Sequence, residues 1–143
     1  MFFGTYNHTL DEKGRLIIPA KLRDELGSSF FVATGKDSCL YAYPQKDYEE
    51  LLESYKSSIR DGNAEARNFV REMASSATIV EIDKQGRIVI PPELRELVGL
   101  EKDIVLLGVV EHVEIWDKER RQAIKLSQKE FEELSEKMSN SGK

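Results

Sequence analysis

The sequence has little of what would assign a function quickly. It holds one cysteine, Cys39, and two histidines, His8 and His112, in 143 residues. A single thiol excludes an internal disulfide, and two scattered histidines offer no zinc-ligand spacing. A basic excess is missing too. The formal net charge is -5, which excludes a nucleic-acid binder that works by overall basicity and leaves only local geometry for such a role. No apolar run approaches the roughly 18 residues that a membrane span needs. Met1-Phe2-Phe3-Gly4 leads into polar sequence without a signal-peptide core. The expectation is a cytoplasmic protein with no metal, no cofactor and no membrane attachment.

What is present suits a globular chain. With 40% hydrophobic residues, it is long enough to bury a real interior, as one compact domain or as two small halves sharing a core. The second arrangement is favoured by a repeat. Leu10-Asp11-Glu12-Lys13-Gly14-Arg15-Leu16-Ile17-Ile18-Pro19 returns as Ile82-Asp83-Lys84-Gln85-Gly86-Arg87-Ile88-Val89-Ile90-Pro91. Aligning residues 10 to 27 with 82 to 99 makes eight of the eighteen pairs identical, among them Asp11/Asp83, Gly14/Gly86, Arg15/Arg87 and Leu22/Leu94. That is an internal duplication.

Each copy reads strand, turn, strand, short helix, strand, strand. Asp at the first position and Gly at the fourth of DEKG and DKQG suit a type I turn closed by a left-handed glycine. The unalternating runs Leu16-Ile17-Ile18 and Ile88-Val89-Ile90 predict strands buried on both faces. Pro19 and Pro91 end these strands and suit the first helical position, while Gly27 and Gly99 suit the helix end. Between the copies, Tyr48, Leu51, Leu52, Tyr55 and Ile59 predict one helix from Gln45 to Arg60. Ala66, Phe69, Val70 and Met73 predict a second after the break at Asp61-Gly62-Asn63. A third, after Trp116, carries the stripe Ile124, Phe131, Leu134 and Met138, a pattern of core or subunit contact.

Turn preference explains the aspartates and glycines without any function. It does not explain Arg15 and Arg87, which stand where β propensity favours branched or aromatic residues. They could simply brace the turns against Asp11 and Asp83. Alternatively, an arginine held by a neighbouring carboxylate presents a planar fork that matches O6 and N7 of guanine in the major groove. Lys13, Lys84, Lys21, Arg23 and Arg95 are then candidates for phosphate contacts, or else ordinary solvated surface. Both motif copies are formally neutral, so useful affinity would need several copies acting together.

The opening FFGTYNHTLDEKGRLIIPAKLR, the second motif IDKQGRIVIPPELR, the intervening helices and the C-terminal helix together resemble the MraZ family of bacterial transcriptional regulators, related to the AbrB and SpoVT swapped-hairpin proteins. The resemblance implies an α+β fold, a double-split β-α-β barrel built from two repeats in one chain, at residues 1–54 and 77–120. Residues 121–143 then form a C-terminal amphipathic helix and polar end. It implies homo-oligomeric rings with the D-x-x-x-R turns on one DNA-facing surface, bound to tandem G-rich repeats in double-stranded promoter DNA. The family usually represses its own division and cell-wall gene cluster, in the cytoplasm and at the nucleoid. Carried over by position, the motif residues are Asp11 and Arg15, and Asp83 and Arg87. Gln85 stands where the first copy has Lys13, so the second turn is less basic.

Three other readings compete. Asp11 and Asp83 on equivalent turns could form a proton-sharing carboxylate dyad, but that chemistry needs adjacent, shielded acids. An antitoxin would carry one motif copy and a disordered partner-binding tail, whereas the stripe here stays regular to Met138. An oligomeric scaffold without DNA is the third.

Overall fold

The computed structural model describes residues 1–141. The duplication is visible in the element order. The first copy contributes β1 (Thr5–Thr9), β2 (Arg15–Ile17), α1 (Ala20–Leu26), β3 (Ser29–Thr34) and β4 (Leu40–Pro44). Three helices follow: α2 (Gln45–Ser54), α3 (Lys56–Asp61) and α4 (Ala64–Ser76). The second copy repeats the pattern as β5 (Thr78–Glu81), β6 (Arg87–Val89), α5 (Pro92–Leu97), β7 (Asp103–Val109) and β8 (His112–Asp117), before α6 (Lys118–Ile124) and α7 (Gln128–Ser141).

The fold is α+β, and its strands pair antiparallel, β3 with β4 and β7 with β8 within a copy and the other pairs across the two copies. One six-stranded sheet runs β1-β7-β8-β4-β3-β5, and β2 pairs with β6 in a separate two-stranded ribbon. The first strand of each copy pairs with the third strand of the other in one case, β1 with β7, and in its counterpart β5 with β3. The fourth strands meet in the middle, Leu40 opposite Ile115 and Ala42 opposite Val113. In the ribbon, Arg15 faces Val89 and Ile17 faces Arg87, with Leu16 opposite Ile88. Exchanging the copies maps each of these pairings onto another or, for Leu16 with Ile88, onto itself, which is the signature of a local pseudo-twofold axis between Leu16 and Ile88. Among the described residues no strand pairing closes the larger sheet on itself.

One core serves both copies. Leu16, Ile18, Leu22, Leu26, Phe30 and Val32 pack in the same buried cluster as Ile88, Ile90, Leu94, Val98, Ile104 and Leu106. The short helices are two-turn pieces whose i, i+4 residues Leu22 and Leu26 cover the cluster in α1. Pro19 and Pro91 are the N-caps of α1 and α5, and Pro92 takes the first helical position of α5. This differs by one residue from the sequence expectation.

Three further expectations are corrected. The ribbon strands alternate instead of being buried on both faces: Leu16, Ile18, Ile88 and Ile90 are inside, while Ile17 and Val89 are 40% and 54% exposed. A two-stranded ribbon covered on one side only has an outer face, and the unalternating sequence hides that. The helix expected from Gln45 to Arg60 breaks at Tyr55, whose φ of -96° and ψ of 3° leave the helical region. Tyr48 is buried there, its hydroxyl donating to Met73 O at 3.2 Å, so α2 follows the sheet and α3 turns with α4.

The C-terminal segment forms two helices. Lys125 is extended, at φ -66° and ψ 132°. A capping box restarts the chain: Glu130 N donates to Ser127 Oγ at 3.1 Å and Ser127 N to Glu130 Oε1 at 3.0 Å. Phe131, Leu134 and Met138 on α7 are exposed. Gly142 and Lys143, at the end of the polar tail, lie outside the described residues.

If the shared core at the ribbon axis carries the fold, Leu16→Ala should destabilise the protein by about 2–5 kcal/mol and Ile88→Val by about 0.5–1.5 kcal/mol in denaturant titration. A Leu16→Ala loss below about 1 kcal/mol would show that the ribbon is peripheral to stability.

Candidate functional site

The turns before β2 and β6 have the same internal wiring. In the first, Gly14 N donates to Asp11 O at 3.0 Å and Asp11 N to Arg15 O at 3.1 Å. In the second, Gly86 N donates to Asp83 O at 3.0 Å and Asp83 N to Arg87 O at 2.8 Å. Gly14 and Gly86 have φ values of 77° and 79°, a left-handed conformation in which any Cβ is strained.

Each aspartate side chain then accepts three hydrogen bonds. Asp11 Oδ1 takes Lys13 N at 2.9 Å and Arg15 N at 2.8 Å, and Oδ2 takes Arg15 Nε at 2.6 Å. Asp83 repeats this with Gln85 N, Arg87 N and Arg87 Nε, each at 2.9 Å. An ion pair this exposed adds little to stability. What it fixes is direction: with Nε held, each guanidinium keeps its two terminal nitrogens unengaged among the described residues.

The ribbon brings the two arginines to one face. Residues two apart on a strand share a side, so Arg15 and Ile17 project together from β2, and Arg87 and Val89 from β6. Pairing of Arg15 with Val89 and of Ile17 with Arg87 puts the arginines at opposite corners of one patch.

The motif is matched twice by one family. The family model described as "MraZ protein, putative antitoxin-like" matches residues 1–71 and again 73–141. The chain belongs to the MraZ family. Curated relatives named Transcriptional regulator MraZ cover nearly its full length. The protein from Clostridium beijerinckii is 48% identical over 142 residues, 99% of each chain. That from Moorella thermoacetica is 45% identical over 139 residues, 96% of each, and that from Syntrophomonas wolfei 41% over 143 residues, 99% of each.

In this MraZ-family chain the remaining basic candidates divide in two. Lys13 and Lys84 are exposed in the turns, and Lys21 is exposed on α1, beside the N-terminal residues Phe2 to Tyr6. Arg23 and Arg95 are half-buried and cross between copies: the Arg23 guanidinium lies against Gly86 and that of Arg95 against Gly14, where an added Cβ would collide with them. Arg23 Nε donates to Ile18 O at 2.6 Å. Its counterpart Arg95 Nε is buried with no hydrogen-bond partner among the described residues. The glycines are needed for their φ, and a Cβ at either would in addition make the guanidinium packed against it shift; only the first constraint is legible in sequence.

The carboxylates are those of an ion pair. Asp11 is held below its ordinary value of 3.8, first by the backbone N–H of Arg15, against partial desolvation, and then by the Arg15 side chain and Lys13 N. Asp83 is lowered for the same reasons with Arg87 and Gln85. Among the described residues neither aspartate hydrogen-bonds the other, the contact a proton-sharing dyad would require.

Cys39 and His112 lie elsewhere. Cys39 is buried, its thiol pKa pushed up by burial and by Glu114 and Asp37, with Sγ donating to Lys36 O at 3.2 Å. His112 Nε2 sits 3.1 Å from Glu114 Oε2, and its ring packs against that of Tyr41, tilted by 31° with the centroids 4.1 Å apart. Burial opposes the Glu114 charge, but hydrogen bonds from His112 and Trp116 outweigh it and lower the pKa. The His112–Glu114–Trp116 hydrogen bonds link alternate positions of one strand, while Tyr41 joins them from β4, a contact between distant positions that the sequence pattern does not show.

Asp11→Asn should lower thermal stability at neutral pH. A depressed carboxylate pKa stabilises the fold above the unfolded-state value and ceases to do so as pH falls through the folded-state value. The wild-type advantage over Asp11→Asn is therefore constant from pH 7 to about pH 5 and vanishes below the ordinary carboxylate range, as read by melting temperature against pH. An advantage that grows on acidification would contradict the wiring.

Proposed function

We propose that the chain is a sequence-specific DNA-binding transcriptional regulator that reads G-rich double-stranded promoter repeats with Arg15 and Arg87. The observation that carries this is the pair of arginine forks, each fixed at Nε by an aspartate and presented on one face of a two-stranded ribbon. Such a ribbon fits the major groove, and two free terminal nitrogens match guanine O6 and N7. Lys13, Lys84 and Lys21 contribute phosphate contacts. Arg23 and Arg95 are better placed to support the opposite turn than to reach a phosphate directly.

Family membership and the relatives named as transcriptional regulators support the regulatory role. In this reading the two sheets together form the swapped-hairpin barrel, and the protein acts on tandem repeats upstream of its own division and cell-wall gene cluster, as a repressor at the nucleoid. Subunits assemble into a ring, which lets neutral turns on an acidic chain bind by avidity. Exposed apolar residues on α6 and α7, Ile124, Phe131, Leu134 and Met138, supply a face for contact between copies.

Arg15→Ala and Arg87→Ala should each weaken binding to the G-rich promoter fragment by about 1–3 kcal/mol in fluorescence anisotropy, with affinity falling as salt rises. Wild-type affinity in both variants would reject the reading-head assignment. Phe131→Glu with Leu134→Glu should reduce the assembly on analytical ultracentrifugation while leaving the circular dichroism spectrum unchanged. An unaltered sedimentation coefficient would remove α7 from the contact.

A further inference from the structure

The outer face of the ribbon holds two residues that neither the fold nor the arginine forks account for. Ile17 and Val89 are exposed, while their strand neighbours Leu16, Ile18, Ile88 and Ile90 are buried. Burial therefore does not require apolar side chains there. β propensity favours branched residues in strands, but threonine would satisfy it on a wet face. The two positions are equivalent under the pseudo-twofold relation, Ile17 opposite Arg87 and Val89 opposite Arg15, so each copy pairs one arginine with one branched apolar residue.

We propose that Ile17 and Val89 are specificity-determining residues that contact the C5 methyl group of thymine beside the guanines taken by Arg15 and Arg87. This rests on the DNA-binding reading above. Strands in such a ribbon lie about 4.8 Å apart, and same-face residues on one strand about 6.8 Å apart. Bases on one DNA strand are spaced about 3.4 Å apart. An apolar side chain next to a fork therefore addresses the same or the next one or two base pairs. In the major groove, the thymine methyl is the apolar feature that distinguishes a T·A pair, and aliphatic side chains are its natural partner. The patch thus has two chemistries in one unit, a donor fork for guanine and a branched apolar surface for thymine, presented twice.

The test uses the full-length protein and the duplex spanning the G-rich repeats upstream of its gene, prepared with thymine and with deoxyuridine in every T position. Loss of each contacted methyl should weaken wild-type binding about three- to fourfold, from a transfer value near 0.8 kcal/mol per buried carbon. Ile17→Ala with Val89→Ala should bind the two duplexes equally and elute on sizing at the wild-type volume. Equal wild-type affinity for both duplexes overturns the proposal without recourse to any variant. A changed elution volume with an intact thymine preference would instead assign the two residues to subunit contact and overturn it as well. Arg15→Ala and Arg87→Ala, measured alongside, separate the two levels: if they bind as wild type does, the arginine reading itself has failed, whereas weakened arginine variants with no methyl effect remove only the thymine contact.

Discussion

The antiparallel pairing of β2 with β6 is the constraint on which the rest depends. These two three-residue strands come from opposite copies, and each is followed by a short helix that returns to the common core. Because side chains alternate across a strand, one register decision sorts the six residues. Leu16 and Ile88 go inward to the axis, while Arg15, Ile17, Arg87 and Val89 go outward. A slip of one residue would send the arginines into the core and the leucine into water. The buried residues thereby hold the outer patch in its arrangement, although the two sets make no use of each other chemically.

The turns add local rigidity to this frame. Three hydrogen bonds to one carboxylate, with a left-handed glycine and a guanidinium from the other copy stacked on it, leave the loop few alternatives. Because Arg23 rests on the second turn and Arg95 on the first, each turn is in contact with the short helix of its partner copy. One asymmetry remains: Arg23 satisfies its Nε with Ile18 O, and the buried Nε of Arg95 has no partner among the described residues.

Much of this was legible in the sequence because the signals were local. The DEKG and DKQG turns, the two-turn helices between proline and glycine, and the helix from Ala64 to Ser76 all follow from residue types at short spacing. The offset of the two copies also made the family resemblance visible. Information carried by distant partners was not legible. That Ile17 and Val89 face outward depends on the ribbon having only two strands, and that α2 ends at Tyr55 depends on where Tyr48 is anchored. The stacking of Arg23 on Gly86 joins positions far apart in the chain. The break before Ser127 is a different case, since Ser127-Gln128-Lys129-Glu130 is a capping signature that the longer apolar stripe obscured.

In the proposed function an acidic chain binds DNA through local geometry, and that proposal rests on the unengaged edges of the Arg15 and Arg87 guanidinium groups. The most direct measurement is binding to operator duplexes in which guanine is replaced by 7-deazaguanine, which lacks the N7 acceptor but keeps the pairing edge. The account predicts a loss of affinity for the wild-type protein and no further loss for the Arg15→Ala, Arg87→Ala double variant. Equal affinity of the wild-type protein for both duplexes would contradict it.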